Sequence, residues 1–312
     1  MMLTKKWITA VLLGLMVTVL FTGCRDSAPE MGERKKVTEA QVKAFQAQKE
    51  QKMVDIYVPI KEQYETSGHS ESLKTLREYQ GTIEPRCYSC MSAEYFLAPP
   101  EQKPEPAAIS HSITCAVCHE MTLSEFKLRL EPLETCTTCH NNGGDIVAGQ
   151  QVHHPQKEMF LGYGAIGVPN TPDTKYSSGL TCIECHMPNE AHTFKGKTPA
   201  DALKEHTESI CVMCHADRSE EQFAKEVAKM QSQIEKSCDS IEKSLKLSEQ
   251  KMRTFGQQGR DVTKAWEVYN VVYTNLSFVV SDGSKGIHNF GYATKITEYT
   301  EKRNRELEEL LK

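Results

Sequence analysis

A chain of 312 residues with 39% hydrophobic side chains can form one large domain or two small ones. Aromatic residues supply only 7%, a thin stock for a core of that size unless something else brings apolar surface. The net charge of −5 and the lack of any long basic run exclude nucleic acid as a partner.

The N-terminus has Lys5 and Lys6, an apolar run over residues 7–22, then Gly23-Cys24. This is a basic segment followed by an apolar one that is short for a membrane span. Leu20-Phe21-Thr22-Gly23-Cys24 resembles a bacterial lipobox, whose cysteine is diacylated and becomes the new N-terminus. The expectation is a signal peptide over 1–23 and a lipid anchor at Cys24; the alternative is an uncleaved anchor with Cys24 an ordinary residue. Both export the rest of the chain to the periplasmic side of a bacterial membrane. Cleavage removes Lys5 and Lys6 and leaves the protein more acidic.

Residues 24–45 are polar and charged, a flexible tether. A helical pattern runs over 42–79 with a break near Ser67-Gly68-His69. The prolines of residues 98–107 forbid a helix and predict an extended loop.

Five Cys-x-x-Cys pairs follow: Cys87/Cys90, Cys115/Cys118, Cys136/Cys139, Cys182/Cys185 and Cys211/Cys214. Four lead straight into histidine, at His119, His140, His186 and His215, and the first leads into Met91. Cys-x-x-Cys-His is the attachment signature of c-type haem. Two thiols three positions apart reach the two vinyl groups on one porphyrin edge, and the next imidazole falls under the iron. Zinc sites built from Cys-x-x-Cys pairs do not need a histidine after every second cysteine. A disulfide framework leaves the histidines without a role, and a thioredoxin-like site uses one pair. The cofactor expected is haem c, at four complete motifs and a fifth at Cys87/Cys90. Four of the eleven histidines are thereby used, and the remaining seven suffice to cap the other face of five irons. Any one of them can instead be a surface or hydrogen-bonded core histidine.

The C-terminal third changes character. Phe223, Val227, Met230, Ile234, Cys238, Ile241 and Leu245 recur at helical steps, as do Val262, Ala265, Tyr269, Val272, Leu276 and Val279. Residues 281–286 break the pattern, and a third helix is predicted over about 289–311. Cys238 on the first apolar stripe reads as a small core residue. The fold class is mostly α, an irregular haem-packed core with long C-terminal antiparallel helices. Residues 46–215 form the multihaem domain, and 216–312 are its C-terminal helical part.

Several segments resemble the ammonia-forming cytochrome c nitrite reductases, a pentahaem family. They are Gly68-His69 leading to Cys87-Tyr-Ser-Cys90, Thr181-Cys-Ile-Glu-Cys-His-Met-Pro188 with His192 and Cys211-Val-Met-Cys-His215, Gln151-Val-His-His154-Pro155, and Gly286-Ile-His288-Asn289. The resemblance covers about residues 68–312 and implies bis-histidine haems. By that likeness His192 is the distal ligand at Cys115/Cys118, His69 at Cys136/Cys139 and His288 at Cys182/Cys185. The family's distal histidine for the last haem has no counterpart, so His153, His154, His111 or His206 fills that place or the iron is open. The departures are as telling. Met91 stands where the family has its catalytic lysine, Asn141-Asn142-Gly143 replaces the region of its active-site tyrosine, and no arginine lies between Tyr95 and Cys115. The family's calcium ligands are not reproduced at Asn142, Gln151 and His153. Met91 either ligates the first iron, with His111 or His154 opposite, or packs as an ordinary side chain.

Two functions are consistent with this sequence. One is an exported multihaem cytochrome passing electrons between redox proteins, a membrane quinol-oxidising cytochrome or other periplasmic or extracellular cytochromes. The other is a reductase of nitrite or a related small nitrogen or sulfur oxyanion at Cys87/Cys90, with His154 as its catalytic proton donor. The C-terminal helices suit a homodimer interface in either.

Overall fold

The structure is a computed structural model that describes residues 39–121 and 126–312. The expected signal peptide, Cys24 and the first part of the tether lie outside the described residues. The chain divides into two compact units, 1–53 and 54–312. Helix α1 (Glu39–Glu65) begins inside the expected tether, which therefore does not extend to residue 45. Residues 39–65 contain no glycine, and a single proline, Pro59, lies inside the helix.

Helix α2 (Ser72–Glu78) follows the break at Gly68 and carries Leu73 and Leu76 into a small core with Tyr88 and Ile109. The proline-rich loop contains two short 3-10 turns, Pro100–Gln102 and Pro106–Ala108, each with proline in its first turn. Proline's fixed φ suits the start of a turn, so the loop is less extended than its composition predicts. A two-stranded antiparallel ladder pairs β1 (His119–Met121) with β2 (Phe126–Leu128), the only strands among the described residues. Helices α3 (Gln156–Leu161) and α4 (Pro199–Glu205) are short, and α4 packs on the first of three long C-terminal helices.

Those three are α5 (Glu220–Gln257), α6 (Thr263–Asp282) and α7 (Phe290–Leu310), each packed on the other two. Ser219 and Gln222 form a capping box that starts α5, with Glu220 and Glu221 in the first turn opposing the helix dipole. Asn289 caps α7, and Gly283 at φ +76° ends α6. The predicted stripes are the buried faces: Ile234, Cys238, Ile241 and Leu245 meet Val268, Val272, Phe278, Tyr292 and Ile296.

Helix α6 also has a polar edge that periodicity does not reveal. Thr274 Oγ1 accepts from Gly149 N–H (2.9 Å), and Ser277 Oγ accepts from Val152 N–H (2.9 Å). Asn275 pairs with both backbone groups of Ile166. Gln156 Nε2 donates to the carbonyls of Ser281 and Asp282 (3.2 Å each). These bonds dock the irregular segment 147–171, with His153 and His154, along α6. Among the described residues no helix is long and apolar enough to cross a membrane.

Candidate haem sites

Each Cys-x-x-Cys lies on a single helical turn. The turns are Pro85–Cys90, Cys115–Cys118, the end of Pro132–Thr137, Cys182–His186 and Ile210–Cys214. Local sequence starts them: Pro85 and Pro132 enter at the first position, and Thr181 with Glu184 forms a capping box. Three residues are nearly one turn, so both sulfurs face the same side. His140 N–H donates to Cys136 O (3.0 Å) and His215 N–H to Cys211 O (3.0 Å), carrying each imidazole on the same turn as its thiols. The cysteines of all five pairs are free thiols, and in a loaded c-type protein they would be thioether sulfurs.

Three motif histidines face a second histidine from elsewhere in the chain. Ring centres are 6.2 Å apart for His119 and His192, 6.1 Å for His140 and His69, and 6.1 Å for His186 and His288. Two metal–nitrogen bonds of roughly 2.0 Å, plus about 1.1 Å from each nitrogen to its ring centre, put trans imidazoles roughly 6.2 Å apart. A bare tetrahedral ion would instead gather three or four ligands. Among the described residues no three Cys, His, Asp or Glu side chains so converge. The residues therefore fit a bis-imidazole haem iron.

Nδ1 is occupied in several of these histidines, which would fix the tautomer and leave Nε2 free to hold a metal. His192 Nδ1 lies 2.7 Å from Glu190 O, and His186 Nδ1 lies 3.1 Å from Phe194 O. His288 Nδ1 lies 2.6 Å from Asp282 Oδ1. Burial lowers the pKa of His69 and His186 and brings that of His140 down to about 4, favouring the neutral ring that binds metal. Burial also opposes protonation of His288, but the Asp282 carboxylate outweighs it and the pKa is raised.

Phe194 was invisible as a site residue in the sequence. At φ +56° it takes a left-handed conformation that places its ring edge-on to His69 (4.5 Å) and His192 (5.7 Å) while its carbonyl meets His186. One residue thus touches histidines of three motifs. Gly196 leaves room beside them, since a Cβ there would lie 3.2 Å from the His186 ring. The end of α1 joins the same cluster, with Gln63 Oε1 accepting from His192 N–H (2.8 Å).

The motifs form a contiguous set that is not in chain order. Cys90 lies beside Cys139, and Cys136 beside Cys182; in each pair of free thiols the contact lowers the pKa of one and raises that of the other. Cys185 is pushed up to about 11, first by burial and then by Cys211. Cys118 in turn lies near both Cys136 and Cys139. The spatial order is therefore first, third, fourth and fifth motif in a row, with the second beside the third.

The first and last motifs differ from the middle three. Met91 is half-buried against the Leu73, Leu76, Tyr88 and Ile109 cluster, alongside Cys87 and Tyr95. His111 is exposed, with Nδ1 2.6 Å from Glu94 Oε1. His153 and His154 stack edge-on at 4.2 Å, and His154, at φ +49°, is 6.0 Å from His140. Burial lowers both, His154 to about 4, and the Arg86 charge also bears on His153. That pair therefore lies between the first and third motifs. His215 meets Phe223 at 5.5 Å, and among the described residues no histidine ring accompanies it. His206 is exposed at the left-handed end of α4.

Residues 150–308 match the family model for cytochrome c552, a span that holds the last two motifs and His153, His154, His192 and His288. The chain belongs to the cytochrome c552 family. It is a multihaem cytochrome c, and membership implies covalently bound haem c. Among solved structures this cytochrome is similar to the outer cell wall cytochrome OcwA, at 31% identity and TM-score 0.68, over 78% of this chain and 49% of that one. It thus spans about half of that relative's length. It shares its fold with the undecahaem cytochrome from the S-layer of Carboxydothermus ferrireducens: 24% identity, TM-score 0.58, 77% of this chain and 40% of that one. It also shares the fold of the cytochrome c nitrite reductase of Desulfovibrio desulfuricans: 15% identity, TM-score 0.55, 78% of this chain and 70% of that one. No curated protein sequence gives a significant match.

Proposed function

We propose that this cytochrome relays electrons between redox proteins outside the cytosol, through haems bound at all five Cys-x-x-Cys pairs. Haem supplies reversible one-electron chemistry, and the chain's contribution is to hold each group, cap its metal and keep neighbours in contact. The observation that carries this reading is the set of three opposed imidazole pairs at 6.1–6.2 Å, in motifs that neighbour one another. In it His119 and His192, His140 and His69, and His186 and His288 are axial pairs, and His215 is a proximal ligand. Met91 is the soft ligand of the first site. Export with a diacylated Cys24 fits similarity to cytochromes of the cell wall and S-layer, and the partners are then other exported cytochromes or a membrane quinol-oxidising one. Pairing of two copies through α5, α6 and α7 is a further part of this reading, tested by light scattering on the purified protein.

Intact mass of the secreted protein tests the loading. Five haems and an acyl group are expected; four haems would leave Cys87/Cys90 unloaded, and none after acid–acetone treatment would end the covalent reading. Electron paramagnetic resonance then reports how many ferric sites are low-spin.

A second reading, reduction of nitrite or a related oxyanion at Cys87/Cys90, is favoured by one arrangement. His153 and His154 lie beside the third motif near Arg86, so a neutral imidazole and a cation converge near the first motif. Turnover of nitrite, hydroxylamine or sulfite at a high-spin site, abolished by His154→Gln, would establish it. Low-spin signals from every site with no turnover would remove it.

A further inference from the structure

We infer that Asp282 is a positioning residue that makes His288 a more electron-rich ligand and so lowers the reduction potential of the Cys182/Cys185 site. This rests on the reading that His186 and His288 flank a haem iron. The Asp282 side chain is fully buried at the last turn of α6. One carboxylate oxygen meets His288 Nδ1 at 2.6 Å, and the other accepts from Ser284 N–H (3.3 Å) and from the Ser284 hydroxyl. Ser284 Oγ in turn accepts from His288 N–H (3.1 Å), closing a clasp over residues 282–288.

The clasp is fixed from outside as well. Gln156 Nε2 holds Asp282 O at 3.2 Å, and Lys285 pairs with Glu235 of α5 at 2.6 Å. Gly283 at φ +76° and Gly286 at φ +93° permit so tight a loop, and a Cβ on Gly286 would sit 3.0 Å from Ile234. The carboxylate is therefore placed by the fold and does not merely happen to be near.

His288 has a carboxylate on Nδ1. His186 and His192 meet backbone carbonyls, and Gln156 lies beside His140. A buried anionic acceptor at this distance makes a stronger hydrogen bond than a carbonyl does. It draws the Nδ1 proton toward oxygen and leaves Nε2 a better donor, which stabilises ferric over ferrous iron.

The test uses the haem-loaded protein and spectroelectrochemical titration. Asp282→Asn keeps the shape and a hydrogen-bonding oxygen but removes the charge. One site should shift about tenfold toward the ferrous form, roughly 59 mV for a one-electron couple, stay low-spin with altered g-anisotropy, and leave the other sites in place. Ser284→Ala removes a donor to the carboxylate and should move the same site the opposite way, which simple loosening of the loop would not do. His288→Ala checks the underlying reading by turning one low-spin site high-spin. If it does so while Asp282→Asn moves no potential, the role of Asp282 is overturned and the ligand assignment stands. If His288→Ala alters no site, the ligand assignment itself fails. Should Asp282→Asn not fold, Ser284→Ala decides alone: a shift confined to one site supports the inference, and none overturns it.

Discussion

Asn275 is fully buried in α6, and its side-chain amide substitutes for a missing strand partner. Ile166 N–H donates to Asn275 Oδ1 at 2.8 Å, and Asn275 Nδ2 donates to Ile166 O at 3.0 Å. Asn275→Ala leaves both backbone groups buried without partners. At roughly 1–3 kcal/mol for each stranded group, the loss is about 2–6 kcal/mol. At the midpoint of that range, and about 2–4 °C per kcal/mol for a domain near this size, the melting temperature falls by roughly 8–16 °C. Equilibrium urea unfolding of the haem-loaded protein, followed by far-ultraviolet circular dichroism, measures it. Ser277→Ala, which strands Val152 N–H and gives up only a long 3.5 Å bond to Val152 O, provides the graded control and should lose less than Asn275→Ala. A loss under about 1 kcal/mol for Asn275→Ala, or equal losses for the two variants, would refute the claim that α6 holds segment 147–171 by these bonds.

Gly162→Ala should be sharply destabilising, since Gly162 is buried. Gly162 sits at φ +75°, and an added Cβ would lie 1.9 Å from Thr171 O, so backbone must move; a drop of at least about 2 kcal/mol in the same assay is expected. Phe194→Ala removes edge contacts to His69 and His192. It should lower stability by about 1–3 kcal/mol and broaden the low-spin resonance signals of the second and third sites together. At Glu94, burial opposes ionisation, but hydrogen bonds from His111 and Ser110 hold the carboxyl well below the usual range. A depressed folded pKa means the contribution is present above the unfolded value, about 4.3, and fades as pH falls below it. Glu94→Gln should therefore flatten the acid side of the stability–pH curve in urea unfolding and leave the neutral side level.

The sequence by itself determined what can be written within one turn of chain. A thiol pair and the following imidazole depend only on local geometry, so the five motifs, including the odd Met91, are legible without a fold. The apolar stripes of α5, α6 and α7 are legible for the same reason, because periodicity is local and their burial follows from it. The distal partners were reached only through likeness to a family, since nothing local links His69 to His140 or His288 to His186. Only the tertiary structure decided which imidazoles oppose each other, that the motifs run out of chain order, and that His111 meets Glu94. It also decided the surroundings of Phe194, Asn275 and Asp282, which carry no motif. A buried amide, a wedge ring and a buried carboxylate acquire their function from groups far away in sequence, and that pairing exists only once the chain has closed.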